Sequence, residues 1–233
     1  MTAITVRAFD SLAETLGACA AAIEEAIRRS AAPQFVLAGG QTPRGVYALL
    51  AGSGRSEALP WADVEFWFGD ERCVGPDHPK SNYRLAQETL LKPLGVPVGH
   101  VHRMLGELGA EEGARRYRER LVERLGSAPR IDLALVGMGA EGHTLSLFPG
   151  AAGLTSPDLA VAALVPAAPR ERISLTPLAL GHAERIFLLV TGAAKRDAVG
   201  RALSAADRDP AVPTSFLRGL AETVLFCDRA ALP

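Results

Sequence analysis

His143 is the residue best placed for chemistry, within Gly137-Met-Gly139-Ala-Glu141-Gly142-His143-Thr144-Leu-Ser146-Leu-Phe148-Pro149. An imidazole beside glycine can lie close to a substrate, and an ordinary pKa of about 6.5 suits a general base near neutrality. Glu141, two residues earlier, can set the ring tautomer or hold water. A second cluster, Phe68-Gly-Asp70-Glu71-Arg72, runs on to Ser81-Asn82-Tyr83. There Arg72 can hold a carboxylate or a developing oxyanion, and Asp70 can orient a hydroxyl or a partner. The plainer reading of that cluster is an internal Asp/Glu–Arg ion-pair network that closes the loop. The third cluster is Gly39-Gly40-Gln41-Thr42-Pro43. Glycines admit a ligand close to the backbone, and a helix start offers unpaired N–H groups and a dipole that favours an anion. Arg172, at a strand start, and Lys195, at a helix start, are the candidate cations to join it. Lys195 and Arg196 oppose the helix dipole by about 0.3–1 kcal/mol, a cost that a bound anion would remove. Solvated surface charge is the alternative for both.

Several other chemistries are excluded. Gly137-x-Gly139-x-x-Gly142 matches the dinucleotide fingerprint in form, but Pro149-Gly150 stops the long helix that a true one opens. No Lys-Ser/Thr pair follows Gly39-Gly40, and no Gly-x-Ser-x-Gly elbow occurs. His78, His100, His102 and His182 lack acidic or cysteine partners at metal-ligand spacing, so neither a metal nor a cofactor is expected. Cys19, Cys73 and Cys227 form no CxxC pair and suit a reducing compartment. With 25 basic and 26 acidic residues interspersed, the chain has no basic stripe for nucleic acid and no polybasic membrane patch. No secretory signal and no apolar run of about 18 residues is visible, so a cytoplasmic location is expected.

These segments need elements to position them. The 48% hydrophobic composition supports a sizeable core built on Leu, Val, Ile and Ala. Strands are predicted at residues 2–9, 34–38, 64–68, 131–136, 160–165, 172–175, 185–190 and 223–227. His100 and His102 alternate on another possible strand. Ser11-Leu-Ala-Glu14 is a capping-box pattern opening a helix to about Ser30. Thr42 is expected to cap, and Pro43 to enter, a helix ending near Leu50. Further helices are predicted from Ser81 to before Pro93, over Glu111–Leu125, over Pro177–His182 and over Lys195–Leu203, with a polar loop over 69–80. Alternating strands and helices imply a Rossmann-like α/β fold: a mostly parallel sheet with helices on both faces, as a single domain over 1–233. In such folds, sites lie beyond the carboxyl ends of the strands, where the loops at 39–43, 69–82 and 137–149 fall.

Taken in order, these motifs resemble the 6-phosphogluconolactonase family along essentially the whole chain. The likeness runs from Gly39-Gly40-x-Thr42-Pro43 through Asp70-Glu71-Arg72 and Ser81-Asn82 to Gly142-His143-Thr144-x-Ser146-Leu147-Phe148-Pro149, with Arg172-Ile-Ser-Leu-Thr176 and Gly192-x-x-Lys195 after it. The resemblance implies cofactor-free hydrolysis of 6-phospho-D-glucono-1,5-lactone to 6-phosphogluconate in the oxidative pentose phosphate pathway. It also implies His143 as base, and Gly39, Gly40, Gln41 and Thr42 with Arg172 and Lys195 as the phosphate grip. Glu141 stands where the family usually carries Asp, and Gln41 where it carries Ser; backbone N–H at 41 serves with any side chain. The related glucosamine-6-phosphate deaminases share the phosphate loop and Gly-His, but carry Asp-Glu-Tyr and Asn-Glu-Pro where this chain has Arg72 and Leu147-Phe148-Pro149. Sugar-phosphate isomerisation and a non-catalytic sugar-phosphate sensor are the alternatives. The expected partner is a small sugar phosphate, with no nucleic acid or membrane, and the expected state is a monomer or weak homo-oligomer.

Overall fold

In the computed structural model, which describes residues 4–52, 54, 55, 57, 59–218 and 220–233, the apolar runs assemble into a parallel sheet of seven strands. Its members are β1 (Thr5–Phe9), β2 (Gln34–Leu37), β3 (Glu65–Phe68), β5 (Val101–His102), β6 (Ile131–Gly137), β9 (Ala183–Val190) and β10 (Glu222–Asp228). A second sheet comprises β4 (Asp70–Arg72), β7 (Ala160–Leu164) and β8 (Glu171–Leu175). Of the first predicted strand, Thr2 and Ala3 lie outside the described residues. The helices are α1 (Leu12–Arg28), α2 (Gln41–Leu50), α3 (Asn82–Ala86, continued by a π-turn over Gln87–Leu91), α4 (Ala110–Leu125), α5 (Pro177–Leu180) and α6 (Arg196–Ser204).

Local chemistry accounts for most of these boundaries. Ser11 and Glu14 form the expected capping box at α1, with Glu14 N–H donating to Ser11 Oγ and Ser11 N–H to Glu14 Oε2, each at 3.2 Å. Ser81 caps α3 by accepting from Arg84 N–H. Two expectations need correcting. The cap of α2 is Gly40, not Thr42: at φ 107° the backbone enters the helix without a side-chain acceptor, and the Thr42 hydroxyl meets Thr191 instead, at 3.2 Å. The polar loop at 69–80 begins with a three-residue strand, β4, too short to carry a visible period. It pairs antiparallel with β8, which also pairs antiparallel with β7, so residues 160–175 form a hairpin outside the parallel sheet. The connection between β7 and β8 contains no crossover helix, which is what a parallel pair requires.

The large sheet runs β1-β10-β9-β6-β2-β3-β5. From β2 the chain proceeds to β3 on one side, and from β6 to β9 on the other, so the order reverses between β2 and β6. The crevice beyond their carboxyl ends is the topological switch point where such sheets bind ligands. Two buried tyrosines brace the strand ends there. Tyr47 Oη bonds both the N–H and the C=O of Ala38, at 2.9 and 2.7 Å, and Tyr117 Oη does the same for Phe68, at 2.8 and 3.0 Å. Each replaces ladder bonds at the point where the backbone leaves the sheet. One hydrophobic core contains residues of both sheets, including Phe35, Leu135, Ile173 and Leu175.

Away from the crevice, His102 is buried and stacked on Trp67 with ring centroids 4.0 Å apart. Its Nε2 bonds Glu65, and Arg120 Nε–H donates to Nδ1 at 3.3 Å. Both nitrogens are therefore satisfied in the neutral tautomer. Burial pushes the His102 pKa below the ordinary 6.5, outweighing the pull of Glu65. Between the two pKa values the unfolded chain binds more protons, so this contribution is complete above about pH 6.5 and is lost as pH falls through the folded value. His102→Gln should lower stability at pH 8 but flatten its decline between about pH 7.5 and 5.5. Denaturant titrations across that range would show parallel curves if His102 carried no such burden.

Candidate active site

The carboxyl ends of β2, β4, β6 and β9 surround a cavity of about 360 Å³. Gly39, Gly40, Gln41, Thr42, Asp70, Arg72, His143, Arg172 and Lys195 all line it; Glu141 does not, but bonds the histidine from behind. The α2 N-terminus opens into this space, bringing its free N–H groups and the positive end of its dipole.

One wall is the small sheet. Side chains alternate along a strand, so Asp70 and Arg72 face the cavity while Glu71 turns away. In the β4–β8 register Asp70 opposes Ser174 and Arg72 opposes Arg172. Glu71, 2% exposed, accepts from Arg72 N–H (2.7 Å), Ser81 Oγ–H (2.9 Å), Asn82 N–H (2.7 Å) and Tyr83 N–H (2.8 Å). It thus anchors the start of α3 to β4, and the ion-pair network read from the sequence is replaced by hydrogen bonds to the backbone. Asp70 accepts from Asn82 Nδ2 at 3.1 Å and from Ser146 Oγ at 2.6 Å, which ties the histidine loop to this wall.

Arg72 donates to the Lys80 carbonyl and Arg172 to the Ala167 carbonyl; among the described residues neither has a carboxylate at ion-pair distance. Arg172 is 8% exposed, and its Nη1 is buried with no partner. Burial and then the charge of Arg72 hold its pKa below the ordinary value. Two like charges on opposed strand positions repel, and an anion between them would relieve both that repulsion and the orphaned donor. Lys195 reaches the cavity from the turn before α6. That turn is held by Asp228, which accepts from Gly192 N–H with both oxygens at 3.0 Å. Arg196 points away, to the Ala230 carbonyl.

The 137–150 loop presents His143. Its Nδ1 lies 3.0 Å from Glu141 Oε2. The Glu141 carboxyl is held below its ordinary value, first by its own backbone N–H and also by His143, so it accepts only. Nδ1 therefore carries the proton, and Nε2 keeps a free lone pair. Burial lowers the His143 pKa from 6.5, opposed by Glu141 and Asp70 and assisted by Lys195. The ring lies so close to Gly139 that a Cβ there would overlap it, so this glycine is required for clearance. Among the described residues, no group of three or more His, Cys, Asp or Glu is placed to hold a metal ion.

Asn82, Ser146 and Phe148 stood in motifs without assigned roles, and all three line the cavity. Thr191 was overlooked altogether; its position directly after the apolar 185–190 run was the signal that could have found it.

A family model described as glucosamine-6-phosphate isomerases/6-phosphogluconolactonase matches residues 8–225. The chain is 37% identical over 161 residues to a 6-phosphogluconolactonase of Haemophilus influenzae, covering 69% of each. It is 33% identical over 218 residues to that of a Synechocystis species, covering 90% of this chain and 87% of the relative. A solved structure of 6-phosphogluconolactonase from Trypanosoma cruzi matches with a TM-score of 0.87 at 27% identity, over 99% of this chain and 97% of that one.

Because Glu71 satisfies three backbone N–H groups and a hydroxyl, Glu71→Ala should destabilise the fold by about 2–4 kcal/mol. Chemical denaturation would measure it, and a loss under about 0.5 kcal/mol, the scale of an ordinary surface change, would remove Glu71 from its anchoring role.

Proposed function

The chain belongs to the glucosamine-6-phosphate isomerase/6-phosphogluconolactonase family, and from that footing we propose that it hydrolyses 6-phospho-D-glucono-1,5-lactone to 6-phospho-D-gluconate with His143 as general base. The observation that carries this reading is one imidazole, its Nδ1 held by Glu141 and its Nε2 free, in the same cavity as Arg172, whose buried Nη1 has no partner.

The phosphoryl group docks at the 39–43 turn, with Arg172, Arg72 and Lys195 supplying the charge. The strand register favours Arg72 as a partner of Arg172 in this grip over the oxyanion role also open to it. Water then gives a proton to His143 Nε2 as its oxygen attacks C1. The tetrahedral intermediate collapses by breaking the bond from C1 to the ring oxygen, which takes the proton back from the imidazolium. The new carboxylic acid ionises and releases one proton to solvent. A lactone is an activated ester, so one base worth about 10²–10⁴-fold, together with positioning, accounts for turnover. Three free thiols are consistent with a reducing, cytoplasmic setting.

The test is proton release from freshly generated phospholactone, corrected for the spontaneous reaction. His143→Ala should lose about 10²–10⁴-fold in kcat while still binding 6-phosphogluconate; near-wild-type turnover would discard the base. For the wild type, the acidic limb of kcat/KM should fall below pH 6.5, because burial keeps the ring neutral at lower pH than a free histidine. Arg172→Ala should raise KM about tenfold or more with kcat within about threefold, since it removes uniform binding of the phosphoryl group. A loss confined to kcat would instead assign Arg172 to the oxyanion. Supplying glucosamine 6-phosphate and measuring ammonia tests the deaminase alternative, and tight sugar-phosphate binding without lactone consumption would favour the sensor.

A further inference from the structure

The base has an unexplained neighbour. Phe148 lies against His143 with ring centroids 4.0 Å apart and planes inclined by only 16°. The contact forms inside one bend of the 137–150 loop, where Gly142 at φ 87° and Leu145 at φ 56° turn the chain back on itself. Phe148 lines the cavity, while the adjacent Leu147 is buried against Leu154 and Phe216 and anchors the bend.

We propose that Phe148 is a positioning residue for His143, its ring fixing the imidazole plane so that Nε2 faces the cavity. The inference rests on His143 being the base. One hydrogen bond at Nδ1 leaves the imidazole free to tilt about that bond, and Gly139, having no side chain, limits one edge only. The stack removes the remaining freedom. Neutral aromatic pairs prefer offset or edge-on arrangements, whereas a cation gains from lying over a π face. The near-parallel stack therefore favours the ring more once Nε2 has taken the proton from water. An interaction that strengthens towards the transition state acts on kcat, not on KM. The charged groups bearing on the imidazole are Glu141 on its own loop, Asp70 on β4 and Lys195 before α6. None of them is altered by changing Phe148.

The experiment compares Phe148→Leu, Phe148→Tyr and His143→Ala with the wild type, using the proton-release assay and an NMR titration of the histidine ring nitrogens. The His143→Ala spectrum identifies the resonance of residue 143. Phe148→Leu keeps an apolar neighbour but no π face, and should lower kcat about tenfold with KM within about threefold. It should also lower the NMR pKa of His143, because the protonated ring loses its π partner while staying buried. Phe148→Tyr keeps the face and should recover most of the lost kcat. Binding of 6-phosphogluconate, measured by calorimetry, should be the same in all of them, which shows the fold intact. Phe148→Leu with kcat within twofold of wild type, an unmoved His143 pKa, or a Tyr variant as impaired as the Leu one would each overturn the proposal. If His143→Ala is inactive while Phe148→Leu is unaffected, only the role of Phe148 fails. If His143→Ala remains active, the assignment of the base fails first.

Discussion

One solvent-free carboxylate, Glu71, decides where the charged wall of the cavity stands. Its four donors come from the strand it sits on and from the first turn of α3, so β4 and that helix move as one piece. The alternation of the strand then determines which way its neighbours face. With Glu71 turned inward, Asp70 and Arg72 must turn to the cavity, and pairing with β8 brings Arg172 and Ser174 alongside them. Asp70 in turn takes a hydroxyl from Ser146, so the loop that presents the histidine is registered against the same wall. A buried polar residue with no place in the chemistry thus orders the residues assigned to it.

The electrostatics of the molecule are uneven in a way that net charge conceals. On α4, arginines are paired with carboxylates one turn away, as in Arg115 with Glu112 and Arg116 with Glu112. Such exposed pairs contribute little to stability. Arg72 and Arg172 are treated differently: among the described residues they donate only to carbonyl oxygens, and they oppose each other on paired strands. Folding tolerates that repulsion because the rest of the structure over-determines the position of both strands. A chain of formal charge −1 can in this way present a local cationic surface.

Much of this was legible from residue order. The capping box at Ser11 and Glu14, the apolar runs and the glycine-flanked histidine each rest on local physics, and the structure contains all three. Apart from Arg172, read at a strand start, and Lys195, read at a helix start, the candidate residues that line the cavity were drawn from segments following apolar runs, which is where a parallel sheet exposes its carboxyl ends. What stayed hidden depends on long-range pairing. Nothing within Asp70-Glu71-Arg72 reveals that a hairpin a hundred residues later will make it a strand. Nor can the spacing say which of its two carboxylates is buried, because that follows from the register. Thr42 looked like a cap because a Thr-Pro pair often opens a helix; the left-handed backbone at Gly40 had already made the turn.

The two tyrosine braces have a consequence for binding. Ala38 and Phe68 lie where the backbone leaves the sheet and enters the binding loops, and each has its amide and carbonyl held by an interior hydroxyl. The backbone at both exits is consequently held in place before any ligand arrives, and its ordering entropy has been met during folding. A ligand that docks beside Ala38 meets backbone that is already ordered, so less of its binding free energy goes to fixing that turn.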